Sequence, residues 1–343
     1  MLESRADRYL CRNTCALVEA IQVSIVMPVH NCAPFLAEAL DSLLNQRDLT
    51  LELIAVNDGS TDDSLAVLRA AARDDSRITI IDQSNQGPAV ARNAGLHAAR
   101  GDWVAFADAD DWLAPGALAG WHRHACAQNL DVLIGNGYRF DDDPRVPVGR
   151  PLLKRQPWGE VMSGAAWIVR CTEQDEWPHY VWLQFIRRRL IQQHRLRFAA
   201  ALLHEDILWT LDVALAARRM GFAEPPAYGY RNNPASIVNS PSQASIARRA
   251  HSYIHILRAL VESSASSRGN PALRRALLRH ANVECAYFDQ LLRKKLRGGA
   301  LRREVARSFH ETRLWRALWR GAAGMRQYRR LARCYMAVMR FRR

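Results

Sequence analysis

The feature that most limits how this chain can fold is a fourfold alternation of short apolar segments with helix-like segments. The apolar segments are residues 23–29, 51–56, 78–81 and 103–107. They are apolar at nearly every position, which predicts strands buried on both faces. Apolar residues recur at helical spacing over residues 34–44, 62–73 and 88–99. This order predicts an α/β fold in which helices cover a mostly parallel sheet on both sides.

Polar side chains follow each predicted strand at its carboxyl end. In chain order they are His30-Asn31, Asn57-Asp58-Gly59-Ser60, residues 83–87 and Asp108-Ala109-Asp110-Asp111. Sheets of this kind bind ligands in the crevice outside the carboxyl ends of their strands. We therefore expect all four groups to lie along one crevice.

The acidic segment carries the most specific chemistry of the four. Asp108, Asp110 and Asp111 repel one another, so a cation is expected among them. Mg²⁺ or Mn²⁺ suits this position, because such ions bind one or two protein carboxylates and take their other ligands from water and substrate phosphates. The alternative is an acidic turn before the helix that follows Pro115.

Two other groups could also contact a nucleotide. Asp58 can accept a hydrogen bond from a nucleobase imide or a ribose hydroxyl, although it could instead belong to a turn that caps the next helix. Gly87 precedes a helix that begins with Pro88 and places Arg92 one turn in, close to where an anion would bind. A surface charge is the ordinary alternative for Arg92.

Four segments in this order resemble the signature of the family-two inverting glycosyltransferases. They are residues 24–31, 57–60, 85–95 and 108–111. The resemblance implies the GT-A fold, a nucleotide-binding sheet related to the Rossmann arrangement. It also implies a nucleotide-diphosphate sugar as donor, held by Pro28, Val29, His30, Asn31, Asp58, Gly87, Arg92, Asp108, Ala109, Asp110 and Asp111, with Asp110 as the metal ligand. His30 departs from the family, which usually has an aromatic residue there, Tyr above all.

The second half of the chain supplies a candidate base. Glu205 and Asp206 stand at the head of a predicted helix that extends to about Arg219, inside an apolar segment. An acidic pair at this place resembles the family's catalytic carboxylate, and Asp206 is our candidate for removing a proton from the acceptor hydroxyl. The alternative is that both acids only favour the helix N-terminus, which is worth about 0.3–1 kcal/mol.

Two further segments are weaker candidates. Residues 177–185 are rich in aromatic side chains on which a sugar could stack, so we expect Trp182, together with Glu205, near the acceptor; packing in the core is the alternative. Residues 228–237 resemble a recurrent segment of the family, in which Arg231 would approach the diphosphate.

The positive charge is concentrated in the last part of the chain. The net charge is +14, and residues 293–343 hold 17 Lys and Arg against Glu304 and Glu311. Trp, Met and Tyr interleave with these bases, as in basic amphipathic helices that lie on anionic membranes. Nucleic acid is a disfavoured partner, because no nucleic-acid fold is recognisable. A helical bundle with Arg outside and Trp inside stays open.

The sequence predicts four regions and one cellular location. The regions are an N-terminal extension (1–22), a nucleotide-sugar-binding half (23–135), an acceptor-binding and catalytic half (136–240) and a basic helical region (241–343). No signal peptide or apolar run of spanning length is visible, and seven irregularly spaced cysteines fit reduced thiols. We expect a cytoplasmic protein that is peripheral at the inner face of the cytoplasmic membrane.

These features predict a metal-dependent inverting hexosyl- or deoxyhexosyltransferase. The acceptor would be a glycan or lipid-linked saccharide of bacterial lipopolysaccharide or exopolysaccharide synthesis. A catalytically silent nucleotide-sugar-binding scaffold at the membrane is the alternative. A nicotinamide dehydrogenase is disfavoured, because the first strand leads into Pro28-Val29-His30-Asn31 and not into a Gly-x-Gly-x-x-Gly turn.

Overall fold

The computed structural model of the protein describes residues 20–200, 202–233 and 242–343. An eight-stranded sheet flanked by helices occupies the first two of these ranges. Its strands are β1 (Val23–Val29), β2 (Leu51–Asp58), β3 (Ile78–Gln83), β4 (Trp103–Phe106), β5 (Trp112–Leu113), β6 (Val132–Phe140), β7 (Gln184–Arg187) and β8 (Met220–Arg231).

The helices surround the sheet and then form a layer of their own. Those of the sheet region are α1 (Ala33–Leu44), α2 (Ser64–Asp74), α3 (Pro88–Ala98), α4 (Ala117–Ala127), α5 (Gly164–Gln174), α6 (Arg188–His194) and α7 (Glu205–Ala216). Those of the C-terminal region are α8 (Gln243–Ser266), α9 (Pro271–Gln290), α10 (Gly299–Glu311), α11 (Trp315–Gly321) and α12 (Met325–Phe341).

The sheet has the strand order β3-β2-β1-β4-β7-β6-β8-β5. The first four of these strands are parallel, as the alternating pattern predicts. β7 is antiparallel to both β4 and β6 and joins the two predicted halves of the chain into one sheet. The long strand β8 then runs parallel to β6 and antiparallel to β5, with a register shift near Asn136. The carboxyl end of β8 therefore lies beside the acidic segment, which immediately precedes β5.

Two predicted helix boundaries differ from the structure for local reasons. The second helix begins at Ser64 and not at residue 62, because the carboxylate of Asp62 accepts hydrogen bonds from the backbone N–H groups of Ser64 and Ala33. α7 ends at Ala216 and not at Arg219, because the N–H groups of Arg218 and Arg219 donate to the Asp131 carboxylate.

The C-terminal helices form a packed layer. Phe288 of α9 stacks on Phe309 of α10 with 4.4 Å between ring centroids, and Val338 of α12 is fully buried. The buried amide of Asn282 donates to the carbonyl of Leu318 at 2.5 Å. The tail is therefore a bundle with an apolar interior. Across the described ranges, no helix combines the length and the apolar character that crossing a membrane requires.

Some sequence-based interpretations fall outside the described residues. They concern most of the extension assigned to residues 1–22, with Cys11 and Cys15, and the part of the family-like segment at residues 234–237. Residues 267–270 connect α8 to α9.

A close approach between α5 and α7 fixes the position of the helix that carries Asp206. A Cβ atom on Gly164 would lie 1.8 Å from the carbonyl oxygen of Ala214, so the two helices leave no room for a side chain at this position. We expect Gly164→Ala to destabilise the protein by about 1–3 kcal/mol through overpacking. Gly120→Ala in α4 is the matched control, because its Cβ would meet no atom within 4 Å. Urea unfolding of both variants is the measurement, and equal stabilities would contradict the close approach.

Candidate active site

The polar groups after β1, β2 and β3 lie together, as the sequence predicts. The imidazole Nδ1 of His30 lies 2.9 Å from the carbonyl oxygen of Asp58, and its Nε2 lies 3.2 Å from the Asn85 amide nitrogen. The Asn31 side chain accepts a hydrogen bond from the N–H of Thr61 at 2.8 Å. Pro28 is half-buried, and the side chain of Val29 faces the core. Of Val29, only the backbone can therefore contact a ligand.

The carboxylate of Asp58 organises the loop after β3. It accepts hydrogen bonds from the Gln83 amide at 2.8 Å and from the backbone N–H groups of Gln86 and Gly87 at 2.9 and 2.8 Å. A carboxylate has about four acceptor positions, so roughly one remains for a ligand. Gly87 has φ +88°, a left-handed conformation that glycine adopts without strain. Asp58 therefore mainly holds this loop, and its carboxylate does not cap the next helix as the alternative interpretation expects.

Asp111 stabilises the acidic segment from inside. Its side chain is buried, and it accepts hydrogen bonds from the Tyr228 hydroxyl and from the N–H of Arg231, both at 2.9 Å. The same hydroxyl accepts from the N–H of Asp108 at 3.0 Å. Burial, followed by the charges of Asp108 and Asp110, holds the pKa of Asp111 well above its ordinary value. With Ala109 also buried, Asp108 and Asp110 are the two carboxylates left to face a ligand.

Arg231 has a different role from the one that the resemblance implies. Its guanidinium donates to the carbonyl oxygens of Asp110 at 2.8 Å and Asp141 at 3.3 Å, and it forms an ion pair with Glu38. It also lies over the Phe140 ring, 4.5 Å from the centroid, and is only 8% exposed. These contacts hold the acidic turn against β8. The expected approach to a diphosphate is therefore wrong for this structure, because the guanidinium is already enclosed.

Arg92 connects the acidic segment to α7. It forms ion pairs with Asp108 at 3.0 Å and with Glu205 at 2.7 Å. The guanidinium is buried, so the surface-charge alternative is wrong. Glu205 is buried as well and is held by this ion pair, so its expected place beside the acceptor has no support.

The side chain of Asp206 has different surroundings from that of Glu205. It lines a cavity of about 810 Å³ together with residues of the catalytic half and of the C-terminal helices, among them Trp177, His179, His204, Tyr253, Arg279, His280 and Glu284. Burial, and then the charge of Glu205, raises the pKa of Asp206 to about 7, although Arg92 acts in the opposite direction. A carboxylate with this pKa can accept a proton near neutral pH.

Trp182 packs in the core, as the alternative interpretation of its segment holds. The ring is 6% exposed and stacks on Tyr228 and Tyr230 at centroid distances of 4.3 and 5.5 Å. The acceptor-stacking expectation for Trp182 is therefore wrong, because tyrosines occupy its ring faces. From the same segment, Trp177 and His179 line the cavity.

The remaining carboxylates fit a hard divalent cation. Asp110 is half-buried, and its side chain accepts a hydrogen bond from Asn233 at 3.0 Å. Burial and then the charge of Asp108 raise the pKa of Asp110, an electrostatic cost that a bound cation would remove. Mg²⁺ or Mn²⁺ needs only one or two such oxygen ligands when substrate phosphates supply others. The donor set of Asp110, with Asp108 beside it, matches that requirement.

Sequence comparisons place this arrangement among known proteins. A model described as glycosyl transferase family 2 matches residues 24–194. The uncharacterized glycosyltransferase YibD of Escherichia coli (strain K12) is 31% identical over 242 residues, which cover 70% of each chain. The uncharacterized glycosyltransferase EpsJ of Bacillus subtilis (strain 168) is 32% identical over 226 residues, which cover 64% of this chain and 63% of EpsJ. The match thus spans less than two thirds of EpsJ.

Solved structures share the fold. S. aureus TarS 1–349 in complex with UDP-GlcNAc has a TM-score of 0.56 and 19% identity, and the match covers 88% of this chain and 89% of that one. Mannosyltransferase PcManGT from Pyrobaculum calidifontis, in complex with GDP-Man and Mn²⁺, has a TM-score of 0.52 and 18% identity over 94% and 82% of the two chains. These likenesses confirm the expected GT-A sheet with its C-terminal helices. From the sequence matches and the ordered groups at the strand ends, we conclude that the chain belongs to glycosyl transferase family 2.

Proposed function

We propose that this protein is a metal-dependent inverting glycosyltransferase that transfers a sugar from a nucleotide-diphosphate sugar to a hydroxyl of a glycan. The observation that carries the proposal is that two adjacent carboxylates, Glu205 and Asp206, have different surroundings. Arg92 holds Glu205 against the acidic segment, while Asp206, whose pKa is about 7, lines an open cavity. Asp206 would then serve as the base for the acceptor, and Arg92 would connect its helix to the expected donor site.

On the donor side, His30, Asn31 and Asp58 lie where a nucleoside would bind, and Asp108 faces the ribose or the sugar. Asp110 would hold Mg²⁺ or Mn²⁺, and the ion would balance the charge of the diphosphate leaving group. The complexes of TarS with UDP-GlcNAc and of PcManGT with GDP-Man and Mn²⁺ support this donor class. They make UDP-sugars and GDP-sugars the first donors to test.

On the acceptor side, Asp206 takes the proton of the attacking hydroxyl. The hydroxyl oxygen forms a bond to the anomeric carbon as the bond from that carbon to the diphosphate breaks on the opposite face. The nucleoside diphosphate leaves, and the anomeric configuration inverts in this single displacement. Arg92 keeps Glu205 in place, so that Asp206 is the carboxylate directed to the cavity.

The exposed face of α12 supports an acceptor at an anionic membrane surface. Met325 and Met336 are 66% and 61% exposed, and Tyr328 and Tyr335 are exposed beside them. Four arginines line the same face: Arg326, Arg329, Arg333 and Arg340. Apolar tips among cations suit the boundary between lipid headgroups and chains. We propose a peripheral enzyme at the inner face of the cytoplasmic membrane, acting in lipopolysaccharide or exopolysaccharide synthesis.

We expect Asp110→Asn to weaken Mn²⁺-supported donor binding by about tenfold or more, because an amide keeps the shape of the carboxylate but loses its charge. Calorimetric titration with UDP-GlcNAc and GDP-Man, with and without Mn²⁺, is the measurement. Asp102→Asn, exposed at the opposite end of β4, is the matched control. The same Mn²⁺ dependence in wild type and Asp110→Asn would remove Asp110 from the metal site.

We expect Asp206→Asn to lower turnover by about 10²–10⁴ while donor affinity stays unchanged, because an amide cannot take the acceptor proton. In the wild type, kcat/KM should rise with pH and level off above about pH 7, where the Asp206 carboxyl is deprotonated. Acceptor assays across pH 5.5 to 8.5 test both points. A donor-binding protein that never transfers or hydrolyses the sugar would support the scaffold alternative.

Stability separates a catalytic role of Asp206 from a packing role. Folding raises the pKa of Asp206 from 3.8 to about 7, so its contribution to stability falls as pH rises between these values. Asp206→Asn should therefore gain stability relative to wild type over this range. Asp102→Asn, exposed just before β4, is the control. Activity that falls only in proportion to a lower melting temperature would indicate packing.

The membrane proposal calls for charge reversal, because deleting the tail would expose the packed interior of the bundle. Arg326, Arg329 and Arg333 changed together to Glu should abolish cosedimentation with anionic vesicles at low salt and spare donor hydrolysis. The control reverses three exposed arginines of the sheet region, Arg47, Arg73 and Arg123. If both triple variants bind vesicles as the wild type does, α12 is not the membrane contact.

A further inference from the structure

The cavity beside Asp206 contains a second group of ligand-forming side chains. His280 and Glu284 lie one turn apart on α9, and His179 reaches them from the segment after α5. One ligand atom from each residue lies within 4.8 Å of the other two. Within the described ranges, this is the one group of three or more His, Cys, Asp or Glu side chains with such spacing.

The three side chains are largely buried, and both histidines have ring nitrogens without a hydrogen-bond partner in the described part of the chain. His280 and Glu284 are 5% and 4% exposed. Both ring nitrogens of His179 and Nε2 of His280 are sealed from solvent and find no partner within the described part of the chain. The distance from His280 Nε2 to the Glu284 carboxylate is 3.6 Å, too long for a hydrogen bond. Buried polar atoms in this state cost stability unless something binds them.

Three side chains that each offer a ligand atom within 4.8 Å of the others favour a cation over an anion. Burial lowers the pKa of His280 to about 3 and holds that of His179 well below its ordinary value, so both imidazoles are neutral and can donate lone pairs. Burial, and then the charge of Asp206, raises the pKa of Glu284 to about 8. A bound cation would offset the cost of ionising Glu284.

The geometry is close to that of a four-coordinate metal. Bonds of about 2.0–2.1 Å in a tetrahedral site place neighbouring ligand atoms about 3.3 Å apart, and the pair on α9 is already at 3.6 Å. Because all the ligand atoms lie within 4.8 Å of one another, closing the widest separation requires a movement of at most about 1.5 Å. Trp177 stacks on the His280 ring at 4.0 Å between centroids and orients it.

We propose that His179, His280 and Glu284 bind Zn²⁺. Two histidines and one carboxylate with an open fourth position form a ligand set that zinc uses in proteins. The three residues line the same cavity as Asp206. The ion connects α9 to the catalytic half of the sheet region, so it fixes the wall of the cavity. The proposal does not depend on the transfer reaction or on the hard-metal site at Asp110.

Zinc binding to the purified full-length protein tests the proposal. The protein is stripped of metal and titrated with Zn²⁺ against a chromogenic chelator, with excess Mg²⁺ present to occupy the acidic segment. All proteins carry His122→Ala, because His122 and Cys126 form a surface pair that could bind Zn²⁺. We expect one equivalent of bound Zn²⁺, and an affinity at least tenfold lower in His280→Ala and in the isosteric Glu284→Gln.

Two controls make the result decisive. His251→Ala removes a histidine that contacts Glu304 at 3.3 Å without a third ligand, so zinc affinity should not change. Asp110→Asn should also bind zinc normally, which separates this site from the proposed donor site. Thermal melts identify any variant that fails to fold, and Zn²⁺ should raise the melting temperature of the reference protein, which carries only His122→Ala, but not of Glu284→Gln. No bound zinc in the reference protein, or equal affinity in Glu284→Gln, would overturn the proposal.

Discussion

The ion pairs of Arg92 are the interaction on which the rest of the site depends. A single buried guanidinium contacts Asp108, which belongs to the acidic segment, and Glu205, which begins α7. Removing one partner of a buried ion pair costs about 3–5 kcal/mol, because the other charge stays buried without compensation. Here the loss of Arg92 would leave the carboxylates of Asp108 and Glu205 without their counter-charge. Arg92 thus joins the expected donor side to Glu205, which is 113 residues away from Arg92 in sequence and adjacent to the expected base.

The sequence predicted the first four strands because each is short and almost wholly apolar, and it predicted one crevice because polar groups follow all four. It could not predict the mixed half of the sheet, since β7 pairs with β4 across about eighty residues. The local sequence pattern also could not show which polar residues face a ligand and which ones stabilise the fold. Asp111 and Asp110 are neighbours, yet only Asp111 meets the Tyr228 hydroxyl, 117 residues away.

The predicted ligand contacts of Arg231 and Trp182 are wrong for the same reason. Both residue types occur often at ligand sites, and both side chains are enclosed here by partners that are distant in sequence: Glu38 for Arg231, and Tyr228 for Trp182. The spacing of His280 and Glu284 on one helix face was visible in the sequence. Their proximity to His179, a hundred residues earlier, depends on how α9 packs against α5 and so required the structure.

Two parts of the chain form the walls of the cavity beside Asp206. The side that includes Asp206 belongs to the region that the family model matches and to α7, whereas Tyr253, Arg279 and Tyr287 come from the helices beyond that match. The strand ends that would hold a nucleotide do not depend on those helices for any of their described hydrogen bonds. The proposed acceptor cavity can therefore change through substitutions in the C-terminal helices that leave the hydrogen bonds of the proposed donor site intact.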